Sequence, residues 1–170
     1  MGNTWSTLQS NWETETRFWN HIPVSYTNKL KDNMDQLIKV IDEARLPASV
    51  YWDFEEGKGK NEFIFIDIFP SELIARMSGA VVRSYPFQIN YYMTLTGGTK
   101  LKVLDALSRR VDKLERALNN NNHRTDSGTY YWHDGEVLEI DLDAPLEDNE
   151  DLLNLHVGRL TYTVTTMEDL

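Results

Sequence analysis

The chain has 170 residues, a formal net charge of −10 and no cysteine. Disulfides and thiolate metal sites are therefore excluded, and a protein of this sign does not hold nucleic acid by drawing in its phosphates. A single domain of this length can bury about 70% of its unfolded surface, so a full core needs no covalent staples. No apolar run approaches the ~18 residues of a membrane span, and the polar, acidic start does not read as a secretory leader.

The opening Met1-Gly2-Asn3-Thr4-Trp5-Ser6 fits the short N-myristoylation pattern. No basic patch follows to give a second anchoring signal, and an ordinary start is the reading adopted. Trp5, Leu8 and Trp12 are spaced three and four apart, which predicts a short amphipathic helix with Glu13 and Glu15 on its wetter side. With Phe18 and Trp19 they make an aromatic-rich extension over residues 1–26. Its tryptophans are either core of their own subunit or anchors on another chain, where Trp is favoured.

Pro23 closes the extension, and a single α+β domain is expected over 27–170. A helix is predicted from Thr27 to Arg45, with Leu30, Met34, Leu37, Ile38 and Ile41 as its stripe and Pro47 ending it. Ala48–Glu55 and Glu62–Phe69 read as two arms of a hairpin, turned at Gly57–Asn61 with a basic tip at Lys58 and Lys60. The tip lacks the spacing and following helix of a phosphate loop, and is read as solvated or facing an acidic partner. Alternation puts Phe63, Phe65, Asp67 and Phe69 on one face of the second arm and Ile64, Ile66 and Ile68 on the other. Both faces are apolar, so helices cover both, or a neighbouring subunit covers one. Asp67 has no second acid or histidine at a telling spacing. It is read as locally paired rather than catalytic.

Pro70–Gly79 reads as a short helical turn or a crossing loop. The run 81–95 alternates as a half-buried strand, with Tyr85, Phe87, Ile89, Tyr91 and Met93 on one side. Gly97-Gly98 then serves as a turn, in preference to an anion nest. It leads into the helix Thr99–Leu118, whose stripe is Leu101, Leu104, Leu107, Val111, Leu114 and Leu118. Asn119–Gly128 is a polar loop. Asp134-Gly135 is predicted to turn a second hairpin, with Leu138, Ile140 and Leu142 opposite Glu139, Asp141 and Asp143 along its return arm. The last strand, 152–166, changes apolar parity at Gly158-Arg159, which predicts a β-bulge there.

The acidic run from Glu139 to Asp151 is the densest group of oxygen ligands. It lacks the glycine and spacing of a calcium loop, so solvated or partner-facing charge is preferred over a cation site. His21, His123, His133 and His156 form no ligand-like pair, and no GxSxG nucleophile motif occurs. No catalytic, cofactor or metal site is assigned.

From Thr27 onward the order of elements resembles the phage tail terminator, or tail-completion, proteins. The resemblance is carried by the first helix, the Tyr51–Phe69 pair of strands, RSYPFQINYYM at Arg83–Met93 leading into KLKVLDALSRRVDKLERAL, and the closing LHVGRLTYTVTTME. It implies an antiparallel sheet with two main helices packed on one face, to which the chain adds its N-terminal helical extension. It also implies a non-enzymatic virion protein at the head–tail junction, assembled in the host cytoplasm as a homo-oligomeric ring of about six copies. Such a ring caps the tail tube protein and meets the neck or stopper protein, with sheath protein as a further neighbour. Genomic DNA would pass without specific binding, and no membrane or cofactor is involved. On this reading subunit contacts are expected from Trp5, Trp12, Trp19, Lys58, Lys60, Phe63, Ile64, Phe65 and Ile66. The alternative is a small cytoplasmic protein-binding module without catalytic activity. An enzyme using Asp67 or the 139–151 acids with a metal is the third reading.

Overall fold

The computed structural model describes residues 29–94, 100–126, 128–142 and 155–169. Its elements, in chain order, are α1 (Lys29–Glu43), β1 (Ser49–Tyr51), α2 (Phe54–Gly57), β2 (Glu62–Ile68), β3 (Glu72–Met77), β4 (Ala80–Thr94), α3 (Lys100–Asn120), β5 (Arg124–Asp126), β6 (Thr129–Trp132), β7 (Asp134–Leu142) and β8 (Leu155–Asp169). The N-terminal extension lies outside the described residues. Among those described, no helix is long and apolar enough to cross a membrane.

The two longest strands, β4 and β8, pair antiparallel from Ala80↔Asp169 to Thr94↔Leu155 without a shift. Large apolar residues occupy alternate positions in both, so one face of this ladder stacks Tyr85, Phe87, Ile89 and Tyr91 beside Val164, Tyr162 and Leu160. β2 and then β3 continue the sheet beyond β4, β7 continues it beyond β8, and β1 adds to β2. The helices α1 and α3 cover the Tyr85–Tyr91 face through Leu37, Val40, Ile41, Leu107, Val111, Leu114 and Leu118. The fold is α+β, as expected, with both main helices on one face.

Several local expectations are corrected. Leu101 is 77% exposed and Val103 is buried instead. Six residues before Leu107, Leu101 lies about 120° round the helix from the buried stripe. The first predicted hairpin is absent, because β1 runs parallel to β2, with Val50 opposite Ile64. The sheet is therefore mixed. Asp53 caps the short helix α2 by accepting a hydrogen bond from Glu55 N at 3.0 Å, and this turn carries the chain back to the start of β2. Gly57 lets α2 settle on the sheet, since a Cβ there would come within 2.3 Å of the Phe63 ring.

The Pro70–Gly79 segment is the strand β3 and the tight turn after it. β2 and β3 lie end to end along the same side of β4, and together they make one long hairpin with it. Phe69 N still donates to the Pro86 carbonyl at 3.2 Å, but Pro86 has no N–H to return, and the pairing along β4 lapses here and resumes at Glu72. Gly79, with φ +84, turns the chain into β4.

Asp134-Gly135 is not a turn. It begins β7, with Gly135 opposite Val164. Here glycine is required for size, because a Cβ would come within 2.2 Å of the Tyr162 hydroxyl. The hairpin in this region is β5–β6, whose first arm lies within the stretch expected to be loop and whose second, Thr129–Trp132, falls where a strand was expected before Asp134.

The bulge expected at Gly158 is also absent. The register passes unbroken through Tyr91↔Gly158 and Asn90↔Arg159. Val157 faces away from the helices, while Gly158 lies under α3, where a Cβ would meet Val111 Cγ2 at 2.4 Å. A glycine on the core face and a valine on the other imitate a change of parity. The register shift lies in β7, between Val137 and Glu139.

This contact makes a measurable prediction. Gly158→Ala should destabilise the protein by about 1–3 kcal/mol through overpacking. Urea unfolding of G158A, V111A and the double variant should show the pair less destabilised than the sum of the two. Additive losses would contradict the contact.

Candidate functional site

Strand parity assigns each side chain of the sheet's second face, the one opposite α1 and α3. At one end Phe63, Tyr92 and Val157 stand side by side on β2, β4 and β8. Phe63 and Tyr92 stack with centroids 4.7 Å apart, and Phe54 of α2 packs edge-on to both. Tyr51, Phe65 and Leu155 fill in around this second, smaller core. The next rows across β2, β4, β8 and β7 run Phe65–Asn90–Arg159–Asp141 and Asp67–Gln88–Thr161–Glu139. Further along, Thr163 and Thr165 lie opposite Glu136 and Asp134. The face thus changes from aromatic, to hydrogen-bonding, to a threonine row bordered by acids.

The centre of the face is a linked polar chain. Arg159 Nε donates to Asn90 Oδ1 at 3.2 Å, and Asn90 Nδ2 donates to Asp67 Oδ2 at 3.2 Å. Asn90 is buried and has partners on both sides of its amide. Burial raises the Asp67 carboxyl above its ordinary range, against the lowering effects of the Asn90 hydrogen bond and the Arg159 charge. Burial, with Asp67 as a nearby negative charge, also raises Tyr92.

The helix side carries a different kind of polar group. Tyr91 donates to Glu62, which also accepts from Arg110 Nε of α3 at 3.2 Å. Tyr85 donates to Glu168, which Arg83 approaches at 3.4 Å. Burial and the carboxylate acceptors push both phenols above their ordinary value. Arg124 donates to Gln36, Glu43 and Asn121 at 3.2, 2.8 and 2.6 Å, and Trp132 Nε1 donates to the Asn121 carbonyl at 2.8 Å. Burial acts to raise Glu43, but the hydrogen bonds of Arg124 and Asn121 outweigh it and hold that carboxyl low. The Arg124 and Trp132 hydrogen bonds tie α1, the end of α3 and the β5–β6 hairpin together.

The expected contact residues fall in different places. Ile64 and Ile66 belong to the main core, and Phe63 to the smaller one, so within the folded chain none offers a docking surface. Phe65 is half-buried on the second face. Lys58 and Lys60 are exposed after α2, where Lys58 makes a loose 3.8 Å pair with Glu55. Trp5, Trp12 and Trp19 lie outside the described residues. Glu139 and Asp141 border the second face on β7, whereas 143–151 lie outside the described residues. Sequence reading missed Asn90 and Arg159. The available signal was an amide in the middle of an alternating strand and an arginine within a run of threonines and apolar residues.

Among the described residues no group of three or more His, Asp or Glu gathers as a metal set. The Asp67–Asn90–Arg159 chain buries the Asn90 amide between its two partners and holds the half-buried Arg159 guanidinium at a defined place on the second face. The chain matches no protein-family model, and no curated protein matches it significantly.

The raised Asp67 carboxyl gives a signed prediction. An acid whose native pKa lies above its unfolded value binds its proton more tightly in the native state, so its contribution to stability falls as pH rises through the native value. Asp67→Asn should therefore gain stability relative to the parent as pH is raised from about 3 to about 7, as read by paired urea melts. A gain for the parent over the same range would show that Asn90 and Arg159 outweigh burial.

Proposed function

We propose that this chain is a structural virion protein that forms a ring, ends the phage tail tube and joins it to the neck. One observation carries the reading. Both main helices lie on one face of the sheet, and among the described residues α2 is the helix that packs over the other, at its aromatic end. The middle rows of that second face carry Gln88, Thr161 and Thr163, half-buried on the described fold, as a surface that another chain can meet. Two main helices on one face match what the resemblance to tail terminator proteins implies, while the parallel β1–β2 pair makes the sheet mixed where that resemblance implies an antiparallel one.

Charge supports the same reading. The β7 border presents Asp134, Glu136, Glu139 and Asp141 on the second face, in a chain of net charge −10. Lining a passage, such a border would repel DNA phosphates and let the genome slide through. Copies of the chain would be the first partner, with tail tube and neck proteins above and below.

Light scattering after size exclusion, with negative-stain microscopy, tests this. The expected result is a closed ring of about six copies, or a cap on isolated tail tubes. A chain that stays monomeric at high concentration and in the presence of tube protein would contradict it.

A further inference from the structure

Among the described residues β7 is the last strand on its side of the sheet. Its outward edge is a template on which a further strand can pair. The strand is two-sided in a regular way. Ile140 and Leu142 stand opposite Leu160 and Gly158, on the helix side, while Glu136, Glu139 and Asp141 stand on the second face. Leu138, the additional residue at the register shift, is more than a third exposed, and so are Ile140 and Leu142. We infer that this edge takes one more strand, an extended segment of another protein in which lysine or arginine alternates with apolar residues.

The apolar half of that pattern follows from how α3 sits. The helix lies over β8 and β7. A Cβ on Gly158 would be 3.4 Å from both Leu107 of α3 and Leu142 of β7, so both leucines close over that glycine. Arg110 reaches across to Glu62 of β2, which fixes the rotation of the helix. Ser108 and Asp112, two residues either side of Arg110, lie about 160° round the axis from it. The flank turned away from β2 therefore carries these two, with the half-buried Leu104 and Glu115 nearer the sheet. It overhangs the β7 edge. An added strand would lay its helix-side residues against Ile140 and Leu142 beneath this flank and take apolar surface out of water.

Charge supplies the other half. On the second face Glu136 and Glu139 lie opposite Thr163 and Thr161, which carry no charge. Asp141 lies opposite Arg159, whose Nε is given to Asn90. Neighbouring strands share their faces residue by residue, so the second-face positions of an added strand come beside these carboxylates. Basic residues there are attracted and acidic ones repelled. A second copy's β7 is disfavoured by the same rule, because it would set acid beside acid. A second copy's β3 fits no better, since it carries Glu72 on the second face and its one base, Arg76, on the helix side. The inference stands apart from the proposed ring, because a single chain suffices for it.

Fluorescence anisotropy of short labelled peptides with the full-length protein tests this. A peptide alternating lysine and valine should bind, and bind less as salt is raised. One alternating lysine and serine, of equal charge, should bind roughly tenfold more weakly, because it offers no apolar side. One alternating glutamate and valine should not bind. Equal binding of the lysine–valine and lysine–serine peptides, or binding of neither, would overturn the inference. Hydrogen exchange should place the lysine–valine peptide by slowing the amides of residues 139–142 and leaving those of β3 unchanged. Protection at β3 in place of β7 would overturn it. Glu136→Lys with Glu139→Lys, both at exposed positions, should turn the preference towards the glutamate–valine peptide. An unchanged preference in that folded variant would overturn it as well.

Discussion

The β4–β8 ladder is the constraint on which the rest of the molecule depends. It runs the full length of both strands without a shift, and it sets the parity of every neighbour. β2 and β3 take their register from one side of it, and β7 from the other. A slip of β8 by one residue would carry Leu160 and Tyr162 to the second face and Arg159 under the helices, and a slip of β4 would do the same to Phe87, Ile89 and Asn90. Packing and polar pairing therefore both select one register.

That register divides the sheet into two unlike surfaces. Under α1 and α3 lie aliphatic and aromatic side chains, with Arg110 and Glu62 joining α3 to the sheet at the margin. On the other side the apolar part is confined to Phe54, Phe63, Tyr92 and Val157 and their surroundings. Beyond it the Asp67–Asn90–Arg159 chain satisfies its own buried amide, and the face is polar and bordered by the acids of β7. Close approach depends on glycine at three places in this frame, Gly57 at the end of α2, Gly135 in β7 and Gly158 beneath α3, where a Cβ would meet Phe63, Tyr162 and Val111.

Much of this was legible in the sequence because it follows periodicity. The 3.6-residue stripes revealed both long helices, and alternation revealed β2, β4 and β8. What periodicity cannot report is which strand pairs with which. The parallel β1–β2 pair needed a helical turn too short to read, and β3 was hidden by the proline that separates it from β2. The glycines misled for one reason: Gly135 and Gly158 were read for their backbone freedom, whereas the structure uses their lack of a side chain. The second face suffered similarly. A phenylalanine row on β2 suggested a subunit contact, yet α2 had already covered Phe63, and the polar chain at its centre comes from three strands distant in sequence.

The proposed ring rests on this frame through the second face of the sheet. Native-state hydrogen exchange tests the frame most directly. The account predicts that the β4 and β8 amides between Phe87–Tyr91 and Gly158–Tyr162 exchange last, only on global unfolding, while the β3 and β7 amides exchange earlier through local opening. Central β4 amides exchanging as fast as those of β3 would contradict it.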